Sequence, residues 1–264
     1  MKIGVTGISG KMGKVIAKAV TDHPIAELTS GLVRKGNSFD QLDLGEFIGQ
    51  EKTGHKITSD LDIFYKNCDA IIDFSSPIFS LECAKKAAET GKIFVCGTTG
   101  FSEEEKHQLS EYSKHCVMVW SSNMSVGVNL LFALVEKVAA TLREDYDVEI
   151  LEMHHRNKVD APSGTALSLG AAVAKGRGID LKDIANMARS GVNNPRKKGE
   201  IGFATLRGGD VIGDHTVIFA ADGERVELTH KATNRNVFAS GAIRAAIWGS
   251  GQKAGFYLMK DVLK

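Results

Sequence analysis

The chain has 264 residues, 43% of them hydrophobic and 25% charged, with 28 glycines and four prolines, a globular composition that excludes disordered and collagen-like classes. Thirty-three basic residues against 32 acidic ones leave a net charge of +1, so no broad field attracts nucleic acid or an anionic membrane. No stretch approaches the ~18 apolar residues that span a bilayer, and glycines stand where a signal peptide needs an apolar run, so a cytoplasmic protein is expected.

An apolar run at residues 2–6 ends at Gly7 and gives way to a helical period in Met12, Val15, Ile16, Ala19 and Val20. Residues 26–33 form the next run, and the opening therefore reads as a βαβ unit. Residues 70–74, 92–96 and 117–120 are further short runs, the first two separated by the helical pattern Leu81, Ala84, Ala87, Ala88. Strands apolar throughout are what a parallel sheet covered on both faces requires, so an α/β, Rossmann-like doubly wound domain is predicted. Four cysteines, Cys68, Cys83, Cys96 and Cys116, share no C-x-x-C pair or metal spacing and are expected to be buried reduced thiols.

After about Ser125 the pattern changes to a long amphipathic helix with Val128, Leu131, Leu134, Val135, Val138 and Leu142 on one side. Residues 148–154 read as a strand, 165–174 as a helix, and 201–206, 215–220 and 225–230 as strands, the last two joined through the hairpin signal Asp222-Gly223. Val226 and Leu228 alternate with Arg225, Glu227 and Thr229, as expected for a strand with one wet or partner-facing side. A C-terminal α+β domain with a mixed, largely antiparallel open sheet follows. The tail from Ser240 reads as helix and is expected to return to the first domain, giving residues 1–125 plus 236–264 as one domain and 126–235 as the other.

The segment Gly7-Ile8-Ser9-Gly10-Lys11-Met12-Gly13 lies where the first strand turns into the first helix, the context in which glycine spacing points to a dinucleotide. Such a turn lets backbone approach a pyrophosphate, and the helix N-terminus offers free N–H groups, so Gly7, Ile8, Ser9, Gly10, Lys11 and Met12 are candidate cofactor contacts. The second strand ends in Val33-Arg34-Lys35 with no carboxylate for a ribose hydroxyl, so NADPH is expected over NADH, with Arg34 on the 2′-phosphate. The segments 73–77, 97–100 and 121–124 close later strands at the same sheet edge, placing Gly97, Thr98, Thr99, Ser121, Ser122, Asn123 and Met124 toward nicotinamide and ribose.

The densest polar cluster runs from Glu152 through His154-His155-Arg156-Asn157-Lys158 to Ser163-Gly164-Thr165, leaving a strand and opening a helix. Its cations could bind a dianion, a histidine suits proton transfer, and a helix start binds carboxylates. It matches no zinc-ligand spacing, and no metal is expected. Arg196-Lys197-Lys198 reads as a solvated loop or a flap.

These segments, above all the run from His154 to Ala166, resemble the bacterial 4-hydroxy-tetrahydrodipicolinate reductase family, older name dihydrodipicolinate reductase. The likeness extends through Gly97-Thr98-Thr99-Gly100-Phe101, residues 123–129, 201–207 and 213–216. It implies reduction of a cyclic dicarboxylate by NAD(P)H with loss of water, with neither metal nor flavin. Carried over, His154 is the general acid, Lys158 the second donor, and His155, Gly164 and Thr165 hold substrate carboxylates. Members form homotetramers through the sheet of the substrate-binding domain, here 126–235. Many carry an acidic residue before the arginine at the cofactor-selecting strand end, where this chain has Val33. Two other readings share the glycine loop: another two-domain Rossmann dehydrogenase and a non-catalytic NADP(H) sensor. The loop from His154 to Thr165 discriminates against the first, and a sensor has no need of His154 and Lys158 together.

Overall fold

The computed structural model describes residues 1–191 and 195–264. By packing, the chain divides into Met1–Val126 with Arg235–Lys264, and Gly127–Asn234. The first unit runs β1 (Lys2–Thr6), α1 (Lys11–Thr21), β2 (Glu27–Leu32), α2 (Leu44–Ile48), β3 (Ile57–Thr58), α3 (Leu61–Lys66), β4 (Ala70–Asp73), α4 (Pro77–Thr90), β5 (Ile93–Cys96), α5 (Glu103–Tyr112) and β6 (Val117–Trp120). The second contains α6 (Val126–Leu142), β7 (Asp147–His154), α7 (Gly164–Arg177), α8 (Leu181–Ile184), β8 (Ala185–Asn186), β9 (Ile201–Arg207), β10 (Gly213–Ala221) and β11 (Glu224–Ala232). The chain then returns to the first unit as α9 (Asn236–Gly249), β12 (Gly255–Leu258) and α10 (Met259–Val262).

The first sheet is seven-stranded, in the order β12-β6-β5-β4-β1-β2-β3, with every pairing parallel. Neighbouring residues explain the unbroken apolar runs: Ile72, Val95 and Val119 point into a core shared with Ile16, Val20, Ala242 and Ile243. Ile71, Phe94 and Met118 point into the opposite core with Phe64, Tyr65 and Cys83. With helices on both faces, each such aliphatic side chain contributes about 1.5–3 kcal/mol by leaving water. All four cysteines are free and buried.

The tail departs from the sequence reading. Its helix starts at Asn236, and after Gly249 the chain adds β12 to the edge of β6. Four half-buried residues, Gly-Phe-Tyr-Leu, carry too little alternation or apolar length to announce a strand. The same shortness hides β3 and β8, two residues each.

The second sheet has the order β11-β10-β7-β9-β8 and is mixed, not largely antiparallel. β10 is antiparallel to β7 and β11, whereas β9 is parallel to β7 and β8. Among the described residues only the Asp222-Gly223 connection is a tight hairpin; the crossover from β7 to β9 passes through α7, and such length permits parallel pairing. Val148, Ile150, Ile201, Phe203, Val217 and Phe219 pack on Leu131 and Val135 of α6 and Leu169 and Val173 of α7. Arg196 is no solvated residue: it donates to Asp147, Glu149 and the carbonyls of Val148 and Glu200, while Lys197 and Lys198 are exposed. No helix among the described residues is long and apolar enough to cross a membrane.

Candidate active site

In the first unit the β1–α1 turn is built around its glycines. Gly7 has φ +55°, and a Cβ on Gly13 would lie 2.3 Å from the Gly7 carbonyl oxygen, so the loop can fold onto α1 only with glycine there. Gly10 takes the N-cap position without a side-chain cap, leaving the first amides of α1 without partners inside the helix. Beside this turn lies a groove of about 320 Å³ lined by Gly7, Ser9 and Gly10, by Val33, Arg34 and Asn37 after β2, and by Ser75, Ser76 and Phe79 after β4. This cradle of small residues and open amides fits a dinucleotide diphosphate. Arg34 is exposed and makes no ion pair among the described residues, while Val33 is buried in the core.

Behind the groove, Asp73 is fully buried at the end of β4. Its Oδ1 accepts from the hydroxyls of Thr6 and Ser75, and its Oδ2 from those of Ser80 and Thr98. The Cys96 thiol donates to the same oxygen at 3.6 Å. Thr98 in turn accepts from the Ser75 amide at 2.9 Å, so one carboxylate binds the ends of β1, β4 and β5 into a fixed edge.

The structure separates the predicted cofactor residues. Gly7, Ser9, Gly10 and Arg34 line the groove. Ile8 sends its side chain into the core and its amide to the Leu32 carbonyl. Met12 packs against that core, and Lys11 is exposed at the start of α1. Thr98 is buried with its hydroxyl committed to Asp73; Gly97 accommodates the Phe74 ring, and Thr99 is exposed. Ser121 hydrogen-bonds the Asn123 carbonyl, Ser122 is half-buried beside it, and Met124 is buried in the core. Asn37 and Phe79 were not foreseen, since a loop asparagine and a helix phenylalanine have no spacing that marks them.

In the second unit the buried face of β7 changes character along its length. Val148 and Ile150 are core, but the next two buried positions are Glu152 and His154. The register sets Thr205 and Arg207 of β9 opposite them on one side and His215 of β10 opposite Glu152 on the other. Glu152 is 1% exposed, and both its oxygens are occupied. Arg207 grips it through two parallel bonds of 2.8 and 3.0 Å, the Ser163 amide donates to Oε1 at 3.1 Å, and His154 Nδ1 lies 2.5 Å from Oε2. His215 packs edge-on against the His154 ring at 5.1 Å and hydrogen-bonds Ser163 Oγ through Nε2. Ser163 also caps α7 by accepting from the Ala166 amide, worth about 0.5–2 kcal/mol.

Burial holds the His154 ring below the ordinary histidine value; Glu152 pushes back, and Lys158 and Arg207 pull down. Burial pushes Glu152 up, but the bonds from Arg207 and His154 outweigh it and keep the carboxyl below its usual range. His215 is pushed down to about 3 by burial, with the His154 charge adding to it. Lys158 Nζ pairs with Asp160 at 2.8 Å, and His155 Nδ1 is buried without a hydrogen-bond partner. Gly164 and Thr165 form the first turn of α7, and a Cβ on Gly164 would meet open space. His154, Lys158, Gly164 and Thr165 thus gather around one sheet end and one helix start. Among the described residues no group of three His, Cys, Asp or Glu side chains is arranged to hold a metal.

Comparison with known proteins covers the whole chain. Residues 1–124 match the family description "Dihydrodipicolinate reductase, N-terminus" and residues 127–263 match "Dihydrodipicolinate reductase, C-terminus". The 4-hydroxy-tetrahydrodipicolinate reductase of Ruegeria sp. (strain TM1040) is 48% identical over 261 residues, covering 99% of this chain and 97% of the relative. That of Hahella chejuensis is 48% identical over 262 residues, covering 99% and 98%. Among solved structures, a dipicolinate-bound dihydrodipicolinate reductase from Paenisporosarcina sp. TG-14 shares the fold, with a TM-score of 0.73 and 22% identity over 98% of this chain and 97% of that one. With both of its domains matched end to end, the chain belongs to the dihydrodipicolinate reductase family.

Proposed function

We propose that this chain reduces 4-hydroxy-tetrahydrodipicolinate to tetrahydrodipicolinate with loss of water, using NADPH in preference to NADH. The observation that carries the reading is His154, held by Glu152 at the end of β7 beside the α7 start at Gly164 and Thr165. A nicotinamide dinucleotide supplies the hydride when bound. Gly7, Ser9 and Gly10 would hold its diphosphate, and the exposed Arg34 guanidinium would hold a 2′-phosphate.

His154 Nε2 carries the proton delivered to the ring carbon beside the one reduced, while Nδ1 faces Glu152. Lys158 is the second donor, its ammonium held by Asp160 near the same site. The amides of Gly164 and Thr165, with His155, take the substrate carboxylates, because the start of α7 favours negative charge. Those fixed dipoles and the lysine charge also steady charge developing in the transition state. The reading extends to a cytoplasmic homotetramer assembled through the second sheet, supported by the long, exposed outer strand β11.

The test is oxidation of NADPH and of NADH by the purified protein, with substrate generated from pyruvate and aspartate semialdehyde by the preceding synthase. Synthase-dependent turnover with the higher specificity constant for NADPH is expected. Equal constants or an NADH preference would remove the role given to Arg34, and cofactor binding without turnover would favour a sensor.

A further inference from the structure

Glu152 and Arg207 have no assigned part in the reaction, yet both proposed donors depend on them for position. An ionised carboxylate only accepts hydrogen bonds, and Glu152 faces the fixed charge of Arg207 across two bonds. His154 Nδ1, 2.5 Å from Oε2, must therefore be the N–H donor. The other nitrogen is left free to exchange a proton. The same guanidinium donates to the carbonyl oxygen of Asp160 at 2.6 Å and, through Nε, to that of Lys158 at 3.4 Å. It thereby fixes the loop that carries the second donor.

We infer that Glu152 is a positioning residue that locks His154 in its Nδ1–H form with Nε2 presented to substrate, and that Arg207 holds this carboxylate and the Lys158 loop in one grip. The inference rests on the acid role of His154. The charged and titratable groups facing the ring are Glu152 on its own strand, Arg207 from β9, His215 from β10, and Lys158 with Asp160 from the following loop. His230 of β11 acts on His215 behind them. Of these, only Glu152 and Asp160 are anionic, and Asp160 is paired with Lys158. Glu152 is thus the group that favours the imidazolium.

A buried ion pair can serve stability alone, so loss of activity by itself decides nothing. Glu152→Gln keeps the shape and still offers a carbonyl to Nδ1–H but removes the charge. We expect kcat to fall about 10- to 100-fold, with KM for the substrate changed less than about threefold. The imidazolium loses its counter-charge, so the alkaline limb of kcat/KM moves to lower pH by about one unit. In a His154→Ala background, Glu152→Gln should cost far less than in the wild-type enzyme, because it acts chiefly through the missing ring.

Nitrogen NMR of labelled histidine in the wild-type protein, above the pKa of His154, should show the proton on Nδ1 and needs no variant to fold. A neutral Nε2–H form, or a Glu152→Gln enzyme with unmoved kcat and pH limb, would overturn the inference. A His154→Ala enzyme near wild-type activity would instead remove the acid role on which it rests.

Discussion

Two carboxylates are buried at strand ends in this protein, and they are satisfied in opposite ways. Asp73 is ringed by the neutral hydroxyls of Thr6, Ser75, Ser80 and Thr98 and a thiol, whereas Glu152 is held by the cation of Arg207 and by a titratable ring. Neutral hydroxyl donors have no charge to gain or lose near neutral pH, so the edge that Asp73 ties together is not coupled to the protonation of its partners. The Glu152 end is coupled to a ring whose proton comes and goes. The first arrangement suits a surface that must only bind, and the second suits one that must also move a proton.

The sharpest test of that contrast is His154→Ala, expected to lower kcat by about 10²–10⁴-fold, the usual share of a general acid, with cofactor affinity little changed. Steady-state kinetics with each substrate varied separates the two. Next in size, Asp73→Asn sets an amide NH2 against hydroxyls that are all donating, and should destabilise the protein by about 2–3 kcal/mol in urea unfolding. Its kcat at saturating cofactor should stay within about threefold of wild type; a loss matching that of His154→Ala would break the comparison. The smallest effect concerns His215, pushed down to about 3 from 6.5. Below pH 6.5 the unfolded chain takes up a proton that the folded ring refuses, so the associated stability is complete above 6.5 and falls as pH drops toward 3. His215→Gln should flatten the fall in stability between pH 6.5 and 5.5 by about 1 kcal/mol. Parallel curves for variant and wild type would show that the folded ring accepts the proton.

Both regions were partly legible in the sequence, for reasons that particular residues make plain. The glycine turn is a local constraint: a Cβ on Gly13 collides with residues a few positions away, so spacing alone can announce it. The polar run from His154 to Thr165 is equally local, and it surrounds the site. Arg207 was invisible because it meets Glu152 across 55 residues, through a parallel pairing of β7 with β9 that no turn signal encodes. Asp73 was singled out only as part of a strand-end segment, since its hydroxyl partners are scattered over four segments and serine or threonine at such places reads equally well as ligand contact. Thr98 illustrates that ambiguity: its hydroxyl is committed to the buried carboxylate.

The return of the chain as α9 has a consequence for the order of biosynthesis. Ala239, Ala242, Ile243 and Ala246 of α9 close the core over Ile16 and Val20 of α1 and over strands β4 to β6. Synthesis proceeds at about 5–20 residues per second, and all of the second unit emerges before this helix does. During that interval the nascent parallel sheet has one face only partly covered, while the second unit already possesses every strand it needs. The segment inserted later in the fold's architecture is therefore the one able to finish first, and a ribosome halted before residue 236 would leave the cofactor-binding half exposing an apolar surface for chaperones or proteases to find.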